Sequence, residues 1–157
     1  MEKSISYKIW TVCMIKDGET VLMLNRQHDD FKGYIPPGGK VEFPESMTNA
    51  AIREVYEETG LVVRNLIYKG LYEYVNIENK DRYMIFNYLT SDFEGTLIEK
   101  PKEGELTWVP IEQLSKLPMQ ESIRRRIPYF FREGTFEIHV EWDNENNKEG
   151  NIKISLT

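Results

Sequence analysis

Three glutamates, Glu54, Glu57 and Glu58, stand at spacing i, i+3, i+4 near the end of the run 45–60. On a helix that spacing puts all three carboxylates on one face. Like charges so placed cost about 0.2–0.5 kcal/mol per pair. They also crowd the C-terminal end, where the helix dipole disfavours anions, and no Lys lies on that face to offset them. Two helix rules broken in one place mark a functional site rather than an ordinary solvated face. Clustered hard oxygen donors suit Mg2+ or Mn2+, ions commonly shared with substrate phosphates. Just upstream, Gly38-Gly39-Lys40 can bring bare backbone close to the same place.

The elements around this cluster follow from periodicity. Residues 45–59 predict a helix stopped by Gly60 in the C′ position. Its stripe of Thr48, Ala51, Ile52, Val55 and Thr59 would pack on a sheet. Residues 5–15 and 21–24 predict strands joined by the Asp17-Gly18 turn. Residues 27–33 predict a polar loop, and the prolines and glycines of Tyr34 to Gly39 predict no regular structure. Further strands are expected at 62–75, 82–91 and 106–109, and an interrupted helix at 111–132, where Pro118 and Pro128 each remove a donor. A terminal hairpin closes the chain at 135–157. In it Phe136, Ile138, Val140 and Trp142 share one face, and Ile152, Ile154 and Leu156 another. Mixed helices and strands without regular alternation imply an α/β (α+β) layered fold with a mixed sheet.

Written out, the acidic region is Gly39, five residues, Glu45, seven residues, then Arg53-Glu54-Val55-Tyr56-Glu57-Glu58-Thr59-Gly60-Leu61. It resembles the Nudix box, G-x5-E-x7-R-E-U-x-E-E-x-G-U with U aliphatic, and every fixed position of residues 39–61 matches. The resemblance implies an α/β/α sandwich over a single domain, 1–157, and hydrolysis of a nucleoside diphosphate linked to another group. It implies Glu57 and Glu58 as the main metal ligands, Glu54 as ligand or water-activating base, and Gly38 as a backbone ligand. Arg53 and Glu45 would brace the helix, with Gly39 and Gly60 as structural members of the box. Glu103, in Lys102-Glu103-Gly104 ahead of Trp108, resembles a further metal-binding carboxylate of MutT-type enzymes, with Glu105 second.

Within the family the chain resembles the MutT-like nucleoside triphosphate diphosphatases of the oxidised-purine type. The similarity runs through Trp108 to Leu114, Met119-Gln120-Glu121 and the terminal hairpin. It implies Mg2+ (or Mn2+) as cofactor and a nucleotide substrate, oxidised purines such as 8-oxo-dGTP among the candidates. Arg26, Tyr34, Gln120 and Glu121 would contact that substrate. ADP-ribose, nucleotide sugars, dinucleoside polyphosphates and RNA 5′ ends are the alternatives of the same chemistry; a non-catalytic nucleotide sensor is the alternative of another class. Asn76-Ile77 stands where the ADP-ribose type tends to carry Pro, and Glu78 to Lys80 where the dinucleoside type tends to carry Tyr.

Composition narrows the setting. The single Cys13 excludes an internal disulfide and zinc sites built on several thiols. No apolar run reaches the ~18 residues of a membrane span, and the start lacks a signal peptide's apolar core, so a cytoplasmic location is expected. The net charge of −6 argues against sequence-blind nucleic-acid binding. Residues 39–61 and 141–150 each carry a net −3 and account for all of it. The Arg124-Arg125-Arg126 run is expected to be a solvated helix face. Lys40 is expected to shape the box. His28 and His139 are expected to be structural or surface residues, and Cys13 core.

Overall fold

The computed structural model describes residues 4–27 and 32–157. Strands β1 (Ser6–Asp17) and β2 (Thr20–Arg26) form a hairpin across Asp17-Gly18. Two three-residue strands follow, β3 (Gly33–Ile35) and β4 (Gly38–Lys40), then helix α1 (Met47–Thr59). Next come β5 (Leu61–Arg64), β6 (Ile67–Asn76), β7 (Asp81–Thr90), β8 (Asp92–Gly95) and β9 (Gly104–Pro110). A 3-10 segment, Ile111–Lys116, and helix α2 (Glu121–Phe130) precede β10 (Phe136–Asp143) and β11 (Lys148–Leu156).

β1 is buried at every position from Thr11 to Ile15, as a strand covered on both faces must be. Cys13 and Ile15 pack with Leu22, Ala51 and Val55 on the side of α1. Val12 and Met14 pack with Met23, Val109, Leu114 and Phe130 on the opposite side, under the 3-10 segment and α2. Helices thus cover both faces of a mixed sheet, the α/β/α sandwich that the box resemblance implies. Among the described residues the sheet runs β11-β10-β6-β7-β1-β2-β3, with β4 on β1 and β9 on β2. The β1·β7 and β6·β10 pairs are parallel and the rest antiparallel. β5 and β8 pair separately. No helix among the described residues is long and apolar enough to cross a membrane.

One consequence of this topology positions the site. β7 lies along β1 from Ser6 to Ile15. On its other side β1 pairs first with β4, at Trp10 to Val12, and then with β2, at Lys16 and Asp17. The sheet therefore forks along β1, and the two glycines of β4 sit in the fork.

Four expectations are corrected. Tyr34 to Gly39 is not irregular throughout: Pro36 and Pro37 occupy the gap, while the residues on either side pair with β2 and β1 as short strands. The stretch 62–75 is broken by Asn65, whose φ of 52° turns the chain, so β5 leaves to pair with β8. The 111–132 segment is interrupted at Pro118 as expected, between a 3-10 turn and a separate helix, but Pro128 does not break it and is accommodated in the last turn of α2. In the terminal hairpin Phe136 pairs with Leu156, Ile138 with Ile154 and Val140 with Ile152. Directly opposed residues share a face, so these apolar sets lie on one face, not two. Of the loop 27–33, residues 28–31, His28 among them, lie outside the described residues.

Candidate active site

Helix α1 starts at Met47 rather than at residue 45 because Ser46 is extended and caps it, its Oγ accepting from the Asn49 N–H at 3.1 Å. Such a cap is worth about 1 kcal/mol. Gly60 ends the helix at φ 85° and donates its N–H to the Tyr56 carbonyl, the left-handed position that favours glycine. Ala50, Ala51, Val55 and Thr59 are buried, which turns the acidic face toward β4.

Arg53 organises that face. Its Nε and Nη2 donate to both oxygens of Glu45 at 3.0 and 2.6 Å, and Nη2 also to the Lys40 carbonyl at 3.0 Å. Nη1 donates to Glu54 at 2.9 Å and to Glu57 at 3.1 Å. The repulsion among the glutamates is thus offset by an Arg inside the cluster, although no Lys is present. The Glu45 bonds hold the Arg53 guanidinium above its ordinary range, and Arg53 in turn holds Glu45 low.

Glu58 turns inward and accepts the Gly38 N–H at 2.8 Å. Burial, then the charges of Glu54 and Glu103, push its carboxyl up to about 7 against the pull of Gly38 and Arg26. Burial also raises Glu54, with Arg53 opposing. Of the two glycines of β4, Gly38 is sterically required by backbone, whereas Gly39 is crowded only by a side-chain end. A methyl group at Gly38 would overlap the Thr11 carbonyl, and one at Gly39 would overlap the Glu54 carboxylate. Glu103 lies 3.5 Å from the Arg26 guanidinium and acts on Glu58. Glu105 instead borders a separate groove with Asn25 and Gln27.

The donor set is all carboxylate and backbone oxygen, the chemistry of a hard cation. Among the described residues no three acidic, His or Cys side chains close into a ready cage. A divalent cation bound here would take one or two of the carboxylates and complete its shell from water and phosphates. Glu58 and Glu57, with Glu54 and Glu103, are the residues that would hold it.

From Glu58 a cavity of about 550 Å³ runs between the sheet and α2. Arg26, Tyr34, Gly38, Gly39 and Lys40 line one end, and Gln120 stands at the α2 wall. One wall is aromatic, with Tyr72, Tyr74 and Tyr83 joined by Trp10, which pairs with Lys40, and the Tyr74 and Tyr83 rings stack at 4.4 Å. Glu121 stays out of the cavity, exposed and 3.8 Å from Arg124.

The arginine run is not a solvated face. Arg125 bonds Glu149 at 3.0 Å, and Arg126 is only 2 % exposed and lines the cavity. Ile123, Arg126 and Phe130 are the buried stripe of α2, and that i, i+3, i+7 spacing was the available signal. The Tyr72 and Tyr74 alternation on β6 was the signal for the aromatic wall. Cys13 is fully buried, and burial pushes its thiol up to about 12, which makes it inert. His139 pairs with Glu73 at 2.7 Å.

Carboxylates set into a sheet fork, with a cavity of about 550 Å³ leading away from them, suit a hydrolase of phosphoanhydride bonds. A family model described as the NUDIX domain matches residues 8–130, and the chain belongs to that family. The chain is similar to two proteins of Bacillus subtilis (strain 168). One is YtkD, provisionally described as an 8-oxo-dGTP diphosphatase, 31% identical over 84% of this chain and 77% of its own length. The other is the uncharacterised Nudix hydrolase YvcI, 30% identical over 69% of this chain and 70% of its own. The crystal structure of the MutT protein from Bacillus halodurans shares the fold. It superimposes with a TM-score of 0.83 at 24% identity, covering 94% of this chain and 97% of that one.

Proposed function

We propose that the protein hydrolyses a nucleoside triphosphate to the monophosphate and pyrophosphate, with Mg2+ (or Mn2+) as cofactor. The observation that carries this reading is the single cavity joining Glu58 and Arg26 to the aromatic wall. Its volume suits one nucleoside, and YtkD, the relative with the longest match described above, carries a triphosphate diphosphatase description.

When bound, the divalent cation supplies charge neutralisation at the phosphates and a more acidic water. The chain does the positioning. Arg53 bonds Glu54 Oε1, and in this reading Oε2 takes the proton of the attacking water. That water's oxygen bonds to one phosphorus of the α–β bridge as that phosphorus loses its bond to the bridging oxygen, and the two products, monophosphate and pyrophosphate, separate. Arg26, beside Glu103 at the cavity mouth, meets phosphate charge. The aromatic wall stacks the base.

The test is incubation with Mg2+ and a panel of canonical and oxidised nucleoside triphosphates, ADP-ribose, nucleotide sugars, dinucleoside polyphosphates and capped RNA, read by product identity. Monophosphate plus pyrophosphate from a triphosphate is the expected result. Cleavage confined to another member of the panel would replace the substrate and keep the chemistry. Tight binding of nucleotide without cleavage of any would support the sensor reading instead.

A further inference from the structure

A buried arginine forms part of the cavity wall on the β7 side of β1, across Val12 from Gly38, and the hydrolytic chemistry leaves it without a task. Arg126 donates from Nε to the Ser122 carbonyl at 3.0 Å and from Nη1 to Asn87 Oδ1 at 2.9 Å. Its guanidinium lies 4.7 Å from the centroid of the Tyr72 ring. The Tyr72 hydroxyl in turn donates to Glu149, which Arg125 also holds. Among the described residues no hydrogen bond occupies Nη2. Among the described residues no carboxylate bonds this guanidinium directly, although Arg126 is only 2 % exposed; Glu149 acts on it at a distance.

Such a cation is costly unless something in the cavity accepts from it. Phosphate charge has its own cation, Arg26. What reaches Arg126 is therefore the group that the tyrosines flank, the flat ring of a base. With Nε on Ser122 and one Nη1 hydrogen on Asn87, the end of the guanidinium formed by Nη2 and the second Nη1 hydrogen is the pair of parallel donors for two adjacent acceptors, and in a purine that pair is O6 and N7 of a 6-oxo ring. A 6-amino purine presents a donor in place of O6 and would leave the arginine unmatched.

We propose that Arg126, oriented by Asn87 and Ser122 and backed by Tyr72, is the specificity-determining residue that selects a 6-oxopurine over a 6-aminopurine. This rests on the nucleotide reading of the cavity, but its test does not need turnover. Binding of inosine, guanosine and adenosine monophosphates to the wild-type protein is measured by calorimetry without added metal. Inosine and adenosine monophosphates differ only at position 6 and its neighbouring N1 proton, so the pair isolates this contact.

Inosine and guanosine monophosphates are expected to bind at least about tenfold more tightly than adenosine monophosphate. The Arg126→Met variant is expected to erase that difference, and Asn87→Ser to reduce it if Arg126→Met does not fold. Equal affinity for inosine and adenosine monophosphates, or a preference unchanged in folded Arg126→Met, would overturn the assignment. So would failure of all three to bind at millimolar concentration. Selective binding without hydrolysis of any triphosphate would sink the proposed reaction and leave Arg126 in this role.

Discussion

Glu57 and Glu58 are one residue apart and live in different surroundings. Glu57 is 55 % exposed at its side chain and paired with Arg53, whereas Glu58 is withdrawn against the Gly38 N–H. Replacing Glu57 by Gln should therefore leave stability within about 0.5 kcal/mol, the worth of an exposed i,i+4 pair. Hydrolysis should fall by orders of magnitude. Urea unfolding and initial rates check the two halves, and a wild-type rate would remove Glu57 from the ligand set. Gly39→Ala separates fold from chemistry in another way. The new methyl meets only the flexible end of Glu54, so the melting temperature should hold while the rate drops. An unchanged rate would show that the position of Glu54 does not matter. The spacing of these glutamates was plain in the sequence. The bracing by Arg53 was legible only through the box resemblance, because it depends on where the chain folds back at Glu45 and Lys40.

At the scale of elements, β6, β7 and β10 are tied by a second charged group on the sheet. Glu73, nearly buried, accepts from Arg82 at 2.8 Å and is bonded to His139 at 2.7 Å. Burial alone would raise the Glu73 carboxyl, but the bonds to His139 and Arg82 outweigh it and hold it below the ordinary range. A depressed carboxylate contributes stability above its unfolded value and loses it as pH falls through the folded one. The Glu73→Gln variant should accordingly melt below the wild type at pH 7, and the gap should close as pH is lowered past about 4. A gap that stays constant down to pH 3 would mean that Glu73 is not the group responsible. Nothing in the sequence flagged this cross-strand set. Glu73 and His139 are 66 residues apart and meet only because β10 returns to lie parallel beside β6. By contrast β1, β2 and the strands about the Asn76–Asp81 turn were readable directly, since their apolar runs and turn residues are local.

At the scale of the whole molecule, the terminal hairpin extends the sheet and carries an acid back to Tyr72, a residue of the cavity wall. Phe136, Ile138 and Val140 are buried with Tyr72, while the opposed Ile152, Ile154 and Leu156 on β11 are 36 to 46 % exposed. Ile138→Ala should cost about 2–5 kcal/mol, and Ile154→Ala well under half of that, both measured in urea. Comparable costs would mean that β11 is covered as thoroughly as β10. The excess acidity of residues 141–150, which sequence alone left without a purpose, thus includes one residue with a definite place. Glu149 is 9 % exposed at its side chain and joins Arg125 to Tyr72. The hairpin's alternation was visible in advance; its contribution to the cavity was not, because that depends on how far α2 leans over β6.

The fork along β1 has a metric consequence. Gly38, which holds Glu58, and Asn87, which holds Arg126, are the neighbours of one and the same residue, Val12, on its two sides. Adjacent strands are about 4.8 Å apart, so the two anchor points are separated by roughly twice that. Both are fixed to backbone pairing rather than to loops. If the proposed roles of Glu58 and Arg126 hold, the protein is built as a calliper with its jaws mounted on a single strand, gauging the span from the tip of a base to the bond that is cut.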